Sequence, residues 1–234
     1  MNEHAKHRER LKNRFATQGL DGFESHQVLE LLLFYAIPRV DTNPIAHRLL
    51  DRFGSITGVL EASPEELKEI EGIGDNAANF LKLILSLTRR IGLEQFPEKQ
   101  RFSTIQEVGE YLINLFKGET VEKSYLLCFN AKMELLKCAL LAEGTSCGVS
   151  VSPRTIVDVS MQTKAAAIIL AHNHTNGFCT PSDEDMDTTH QLKALMRTLQ
   201  INFLEHIVVA NGEYVPLLSV ASKARTEGVP FKKF

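Results

Sequence analysis

The chain has 234 residues, 44% of them hydrophobic, with a formal charge of −3 at pH 7. That length and apolar content support one large or two small domains with real cores. The charge excludes a global basic field, so any nucleic-acid contact would have to come from a local patch. No stretch approaches the apolar length of a membrane span, and the opening Met-Asn-Glu-His-Ala-Lys-His-Arg-Glu-Arg is charged with no apolar core behind it, unlike a secretory signal. The expected location is cytoplasmic, with no membrane partner. Cys128, Cys138, Cys147 and Cys179 form no C-x-x-C pair, and without an export signal they read as reduced thiols.

Residues 1–92 read as helices. Val28, Leu29, Leu31, Leu32 and Leu33 in Gln27 to Tyr35, and Ile45, Leu49, Leu50 and Phe53 in Asn43 to Phe53, fall at helical spacing, with Pro38 and Asp41 breaking the chain between them. Ser63-Pro-Glu-Glu66 starts another helix: Ser63 caps, Pro64 suits the first position and Glu66 completes a capping box. It runs into Gly72-Ile73-Gly74, after which Ala77 to Leu87 is helical again. Two helices joined by a tight G-I-G turn form a helix-hairpin-helix unit, and such a turn can offer backbone N–H groups to phosphate without reading sequence. Gly72, Ile73 and Gly74 are therefore possible contacts to DNA, without sequence specificity. Lys68, Lys82, Arg89, Arg90 and the opening Lys6, Arg8, Arg10, Lys12 and Arg14 favour DNA; Glu69, Glu71 and Asp75-Asn76 oppose it. The alternative is a packing or protein-docking hairpin.

After Arg90 the composition turns polar, with Gly92 and Pro97, and 93–103 reads as a linker before a second domain at 104–234. A helix from Ile105 to Leu115 precedes a strand from Tyr125 to Phe129, and Asn130-Ala-Lys-Met turns into an antiparallel partner at Leu135 to Leu141. A helix at Arg154 to Gln162, a buried strand at Ala165 to Ala171, a helix at Asp183 to Leu199 and strands at Phe203 to Ala210 and Tyr214 to Leu217 follow, the last two joined by Asn211-Gly212. Interleaved strands and helices around a mixed sheet make an α/β domain.

The buried strand leads directly into His172-Asn-His174-Thr-Asn-Gly-Phe-Cys-Thr-Pro-Ser182-Asp-Glu-Asp185. Residues two apart on a strand point to the same face, roughly 7 Å apart at Cα. Two imidazoles can therefore converge on one ion, and the loop through Gly177 and Pro181 can fold Asp185 back as a third ligand. Two His and one carboxylate make a zinc site with an open fourth position for water, whose pKa such an ion lowers to about 7. Ser182 and the acids after it equally fit a helix N-cap and acidic first turn, and the two readings are compatible because a capping serine can place Asp185 rigidly. Cys179 lies in the loop and reads as a small buried thiol. His206, in an alternating strand, reads as a core histidine or one supporting a ligand, and His190 as solvent-facing.

H-x-H, seven intervening residues and S-x-x-D resembles the JAB/JAMM metalloprotease motif. Pro153-Arg-Thr-Ile-Val, Ala-Ile-Ile-Leu-Ala-His-Asn-His and Glu205-His-Ile-Val-Val resemble its RadC branch, whose usual H-N-H-P-S-G differs here at Thr175 and Asn176. The resemblance implies a JAB/MPN domain similar to the cytidine deaminase fold, an N-terminal helix-hairpin-helix domain, and one Zn2+ per monomer on His172, His174 and Asp185. It implies that Ser182 hydrogen-bonds the attacking water or the oxyanion, and that Glu122 accepts the water's proton, Glu143 being the runner-up. A zinc-dependent hydrolase of amide, peptide or isopeptide bonds acting on a protein or peptide substrate follows. The competing reading is a DNA-associated repair or recombination accessory protein. A zinc deaminase is set aside because its H-x-E and P-C-x-x-C ligands are absent.

Overall fold

The computed structural model describes residues 3–97, 99–144, 151–175 and 177–221, so Cys147 and Asn176 lie outside the described residues. The chain forms two compact units, Met1–Thr88 and Arg89–Phe234.

The first unit is helical: α1 (Glu3–Gln18), α2 (Ser25–Ala36), α3 (Asn43–Phe53), α4 (Ile56–Glu61), α5 (Pro64–Lys68) and the greater part of α6 (Asp75–Glu94). Their apolar stripes meet in one core containing Leu29, Leu33, Ile45, Leu49, Val59, Leu67, Ile73 and Leu81. Local signals set the boundaries. Gly54, in the left-handed region at φ 77°, ends α3 with its N–H on the Leu50 carbonyl. Ser63 and Glu66 close the capping box that starts α5. Between α5 and α6, Gly72 takes φ 98°, and a Cβ there would stand 2.6 Å from Ile45 Cδ1. Only glycine fits both that backbone and that approach.

The second unit contains α7 (Ile105–Phe116), β1 (Lys123–Phe129), β2 (Leu135–Glu143), α8 (Pro153–Gln162), β3 (Ala167–Asn173), α9 (Asp183–Thr198), β4 (Asn202–Ala210), β5 (Glu213–Pro216) and α10 (Leu217–Ala221). The described strands form one five-stranded sheet in the order β2-β1-β3-β4-β5. Within it β3 pairs antiparallel with β1 and parallel with β4, so the sheet is mixed. Side chains alternate across it. Leu127, Phe129, Ile169, Ala171, Ile207 and Val209 pack with Val108, Leu112 and Phe116 of α7. Leu126, Cys128, Ile168 and Leu170 pack on the other face with Ile156 of α8 and Leu192 and Met196 of α9. The unit is thus a helix–sheet–helix sandwich with β3 in the middle of the sheet.

The stretch 93–103 does not behave as a linker. Leu93 and Phe96 pack against the second core, Phe102 is fully buried in it, and Arg101 bridges Glu134. Its polar average conceals three apolar residues that anchor it. The division between units falls instead between Thr88 and Arg89, inside the continuous helix α6, where composition does not change. Among the described residues no helix is long and apolar enough to cross a membrane.

Candidate metal centre

His172 lies on β3, paired with Ser124 of β1 and Val208 of β4, and shares the α9-facing side of the strand with Ile168 and Leu170. His174 follows just past the strand end, its N–H still bonded to the Val209 carbonyl at 2.9 Å. The two Nε2 atoms stand 3.0 Å apart. The intervening loop turns at Gly177 (φ 84°), where Asn211 Nδ2 donates to the Gly177 carbonyl at 3.3 Å and the Cys179 thiol donates to the Ala210 carbonyl at 3.3 Å. Cys179 thus ties the loop to the end of β4. The loop delivers Asp185, in the first turn of α9, with Oδ1 at 3.2 Å from His172 Nε2 and Oδ2 at 3.6 Å from His174 Nε2.

Ser182 is the N-cap. Its Oγ accepts from the Asp185 N–H at 3.1 Å and donates to Asp185 Oδ2 at 2.6 Å, while its own N–H donates to the same oxygen at 2.8 Å. Capping and carboxylate placement are therefore one arrangement. The hydroxyl proton is engaged by Asp185.

The donor chemistry fits a cation. His174 Nδ1 lies 3.0 Å from the Phe178 carbonyl, which can only accept, so Nδ1 carries a proton and Nε2 is the nitrogen turned toward Asp185 and His172. The Nε2–Nε2 separation of 3.0 Å and the 3.2 Å from His172 Nε2 to Asp185 Oδ1 are close to the roughly 3.3 Å edge of a tetrahedron with Zn–N and Zn–O bonds near 2.0–2.1 Å, while His174 meets the other carboxylate oxygen at 3.6 Å. Burial raises the Asp185 pKa, but hydrogen bonds from His172 and His174, the charge of His172 and the Ser182 hydroxyl outweigh it and hold the carboxyl well below its usual range. The hydrogen bond with Asp185 chiefly raises the His174 pKa, with burial opposing.

His206 also reaches the cluster. His172, Asp185 and His206 have donor atoms within 4.8 Å of one another, and that trio could hold a metal ion. His206 is 2% exposed, with Nε2 at 2.9 Å from His172 Nδ1, the ring nitrogen opposite the one that faces His174 and Asp185. Burial, then the neighbouring His172, pulls its pKa down to about 3, so it is neutral. On its far side Nδ1 meets Thr189 Oγ1 at 2.6 Å. His190 is exposed.

Glu122 immediately precedes β1, and its charge helps raise the His174 pKa. Asn173, between the two histidines, takes a hydrogen bond from the Lys123 N–H at 2.7 Å and donates to the Val121 carbonyl at 3.1 Å. It thus clamps the backbone on both sides of Glu122. Glu143, in register with Lys123 and with Oε1 3.8 Å from its ammonium, is a half-exposed hairpin-edge residue. Asn173, Thr189 and His206 are the supporting residues that motif reading passes over or leaves undefined.

In the first unit, Ile73 is 6% exposed and belongs to the core, so its side chain is unavailable as a contact, while Gly74 is exposed with open space around it. Most of the cations that favoured DNA have internal partners. Lys68 pairs with Asp75 at 3.2 Å, and the Lys82 ammonium donates to the Leu60, Glu61 and Ala62 carbonyls. Arg8 donates to the Ile37 and Val40 carbonyls, Lys12 lies over Tyr35 and Arg14 over Phe23. Arg89 pairs with Glu119, and Arg90 with Glu94.

Comparison with known proteins identifies the family. The sequence model of the RadC-like JAB domain matches residues 102–224. A UPF0758 protein of Fusobacterium nucleatum is 35% identical over 219 residues, covering 91% of this chain and 94% of the relative. Others from Rhodobacter capsulatus, 33% identical over 202 residues (86% and 94%), and Ruegeria pomeroyi, 31% identical over 222 residues (95% and 96%), are similar along nearly their whole length. With the domain match covering more than half of the chain and the relatives nearly all of it, the chain belongs to the family of RadC-like JAB domain proteins.

Proposed function

We propose that this protein is a zinc-dependent hydrolase of amide, peptide or isopeptide bonds, with His172, His174 and Asp185 holding the ion. The observation that carries the reading is the pair of Nε2 atoms 3.0 Å apart beside the Asp185 carboxylate. A zinc ion held there supplies Lewis acidity toward a carbonyl and makes a water acidic near neutral pH. Asp185 is kept ionised and aimed by Ser182, so it contributes negative charge without needing to shed a proton first. The Phe178 carbonyl orients His174. Glu122, held at the sheet end by the Asn173 clamp, accepts the proton of the attacking water and passes it to the leaving amine, as general base and then general acid.

The helix-hairpin-helix reading of α5, the Gly72–Gly74 turn and α6 belongs to this proposal as a packing or protein-docking hairpin. The internal pairing of its cations favours that over a grip on DNA. Likeness to the cytidine deaminase fold and a cytoplasmic setting complete the reading.

The test is metal content followed by turnover. Purified protein is expected to carry about one zinc per chain, and the His172→Ala, His174→Ala double variant none. Incubation with a complex peptide mixture is expected to release new primary amines, and a chelator to stop the release. A wild-type chain that cannot be loaded with zinc, or a double variant that retains it, defeats the assignment.

A further inference from the structure

We propose that Ser124 is a further catalytic residue of the centre: its hydroxyl donates a hydrogen bond to the carbonyl oxygen of the bound amide and holds that oxygen as charge develops on it. The proposal rests on the hydrolase reading above and supplies a group that binds the substrate oxygen. Ser124 is the second residue of β1 and pairs directly with His172 in the antiparallel β1–β3 ladder. Residues directly opposite in such a ladder project to the same face, with Cβ atoms about 4.5–5.5 Å apart. Leu126 and Cys128, further along β1 with the same alternation, pack on the α8 and α9 side with Ile168 and Leu170, which is the side His172 shares. Continued by two residues, the same register sets Glu122 opposite His174, whose pKa the Glu122 charge helps raise. The proposed base and Ser124 thus stand two residues apart on β1, each across from one histidine.

The state of this hydroxyl sets it apart from the others in the interior. Ser124 is 4% exposed, yet among the described residues its Oγ has no hydrogen-bond partner. Thr42, Ser160 and Thr189, the other buried hydroxyl residues described, each donate to a main-chain carbonyl, at 3.3, 2.7 and 2.6 Å. Buried hydroxyls are paired in the large majority of cases, because an unpaired one forfeits its hydrogen bonds to water and receives nothing in exchange. A strand built only for packing would continue the apolar run of Leu126 and Cys128 to its end with alanine or a larger apolar residue. A polar group left unpaired across from His172 is accounted for when its partner arrives with the substrate.

In amide hydrolysis the water oxygen bonds to the carbonyl carbon, the π electron pair moves onto the carbonyl oxygen, and Glu122 takes the proton that the water sheds. The C=O π bond then re-forms, the C–N bond breaks, and Glu122 returns the proton to the leaving amine. Negative charge on the carbonyl oxygen peaks between these two events. A donor fixed beside that oxygen in a site with little water gains most at that moment, which lowers the barrier without tightening the ground state to the same degree. Ser124 has no acceptor within the fold, so it gives up no hydrogen bond in order to serve. One strand end then carries both functions: Glu122 acts on the attacking water, and Ser124 on the oxygen of the bond under attack.

Ser124→Ala deletes the hydroxyl and little else, and Ser124→Thr keeps it. Three measurements on the full-length chain test the assignment. Thermal melts of chelator-treated protein are expected to show Ser124→Ala as stable as wild type or more so, because an unpaired buried hydroxyl contributes nothing to the fold. Zinc-loaded Ser124→Ala is expected to keep wild-type zinc content and to release amines from the peptide mixture at a maximal rate about 100-fold lower, with the half-saturating peptide concentration little changed and Ser124→Thr near wild type. Acetohydroxamate, a small probe whose carbonyl oxygen can accept from Ser124, is expected to bind zinc-loaded Ser124→Ala about tenfold more weakly by calorimetry. A Ser124→Ala variant that matches wild type in turnover and in acetohydroxamate affinity overturns the proposal. So does one that melts lower by about 4 °C or more, since the hydroxyl then has a partner in the fold. If zinc-loaded wild type releases no amine, the hydrolase reading fails and the acetohydroxamate comparison alone decides whether Ser124 binds a carbonyl oxygen. A wild type that takes up no zinc defeats the ligand assignment and this proposal with it.

Discussion

Ser182→Ala separates a residue that places a ligand from one that acts on the reacting atoms. In the structure its oxygen accepts from the Asp185 N–H at 3.1 Å and donates to Asp185 Oδ2 at 2.6 Å. Deleting it removes the N-cap of α9, worth about 1 kcal/mol. It also removes a hydrogen bond to a carboxylate, a class worth about 1.5–3 kcal/mol, which partial exposure of Ser182 and Asp185 reduces to about 1. Together these come to about 2 kcal/mol, or a fall in Tm of about 4–8 °C for a unit of this size. The Ser182 N–H remains on Oδ2, so the carboxylate is loosened rather than released, and zinc affinity should fall about tenfold. Ser182→Thr, which caps as well, should restore both quantities. Thermal melts of chelator-treated protein and zinc competition titrations measure them. If Ser182→Ala melts within about 1 °C of wild type and binds zinc equally well, yet loses turnover, the capping argument is refuted and the serine works on the water or oxyanion.

Four further outcomes are expected. Glu122→Gln should keep one zinc and lose amide hydrolysis by at least about 100-fold, since an amide of the same size accepts no proton; wild-type turnover would send the search for the base elsewhere. The unfolded chain protonates a histidine near pH 6.5, while folded His206 resists until about 3, so stability held above 6.5 is lost as pH falls toward 3, by up to about 1.4 kcal/mol per unit. Denaturation of chelator-treated protein between pH 4 and 6 should therefore show a steeper acid loss in wild type than in His206→Gln, and equal slopes would refute the reading. Gly72→Val should destabilise the first unit by about 2 kcal/mol or more, through left-handed backbone and collision with Ile45, whereas Gly74→Ala should be tolerated within about 0.5 kcal/mol; equal effects in chemical denaturation would contradict this. Because the turn's cations are internally paired, full-length protein should show no duplex DNA binding near 150 mM salt by fluorescence anisotropy, and a Kd tighter than about 10 μM would restore the nucleic-acid reading.

The elements were legible where one physical signal dominates. Ile168, Ile169 and Leu170 form an apolar run too short for a helix and too continuous for a surface strand, and they became the centre of the sheet. Ser63 with Pro64 and Glu66 announced α5 because a capping box is local chemistry. The linker reading failed where the signal was an average: polarity over 93–103 hid the anchors Leu93, Phe96 and Phe102, whose partners arrive from α7 and β1. Gly72 and Gly74 look alike in sequence, and only the folded chain distinguishes them, by the φ of 98° and the approach of Ile45 at Gly72.

At the metal centre, spacing brought the ligands forward because the chemistry is periodic: histidines two apart on a strand share a face, and a capped acid one loop later folds back. The residues that make those ligands competent follow no period. Asn173 looks like filler between two histidines, yet it holds the Val121 carbonyl and the Lys123 N–H from across the sheet and so fixes where Glu122 starts. Thr189 looks like an ordinary helical threonine. Its hydroxyl meets the Asp185 carbonyl and His206 Nδ1, contacts that join a helix to the sheet. Such a chain of contacts is a property of the folded arrangement, and sequence records only its members. The number of imidazoles therefore underdetermines the centre: His172, His174 and His206 all stand near Asp185, and only the structure shows that His174 lies beside His172 at Nε2 while His206 stands behind it, 2.9 Å from its Nδ1.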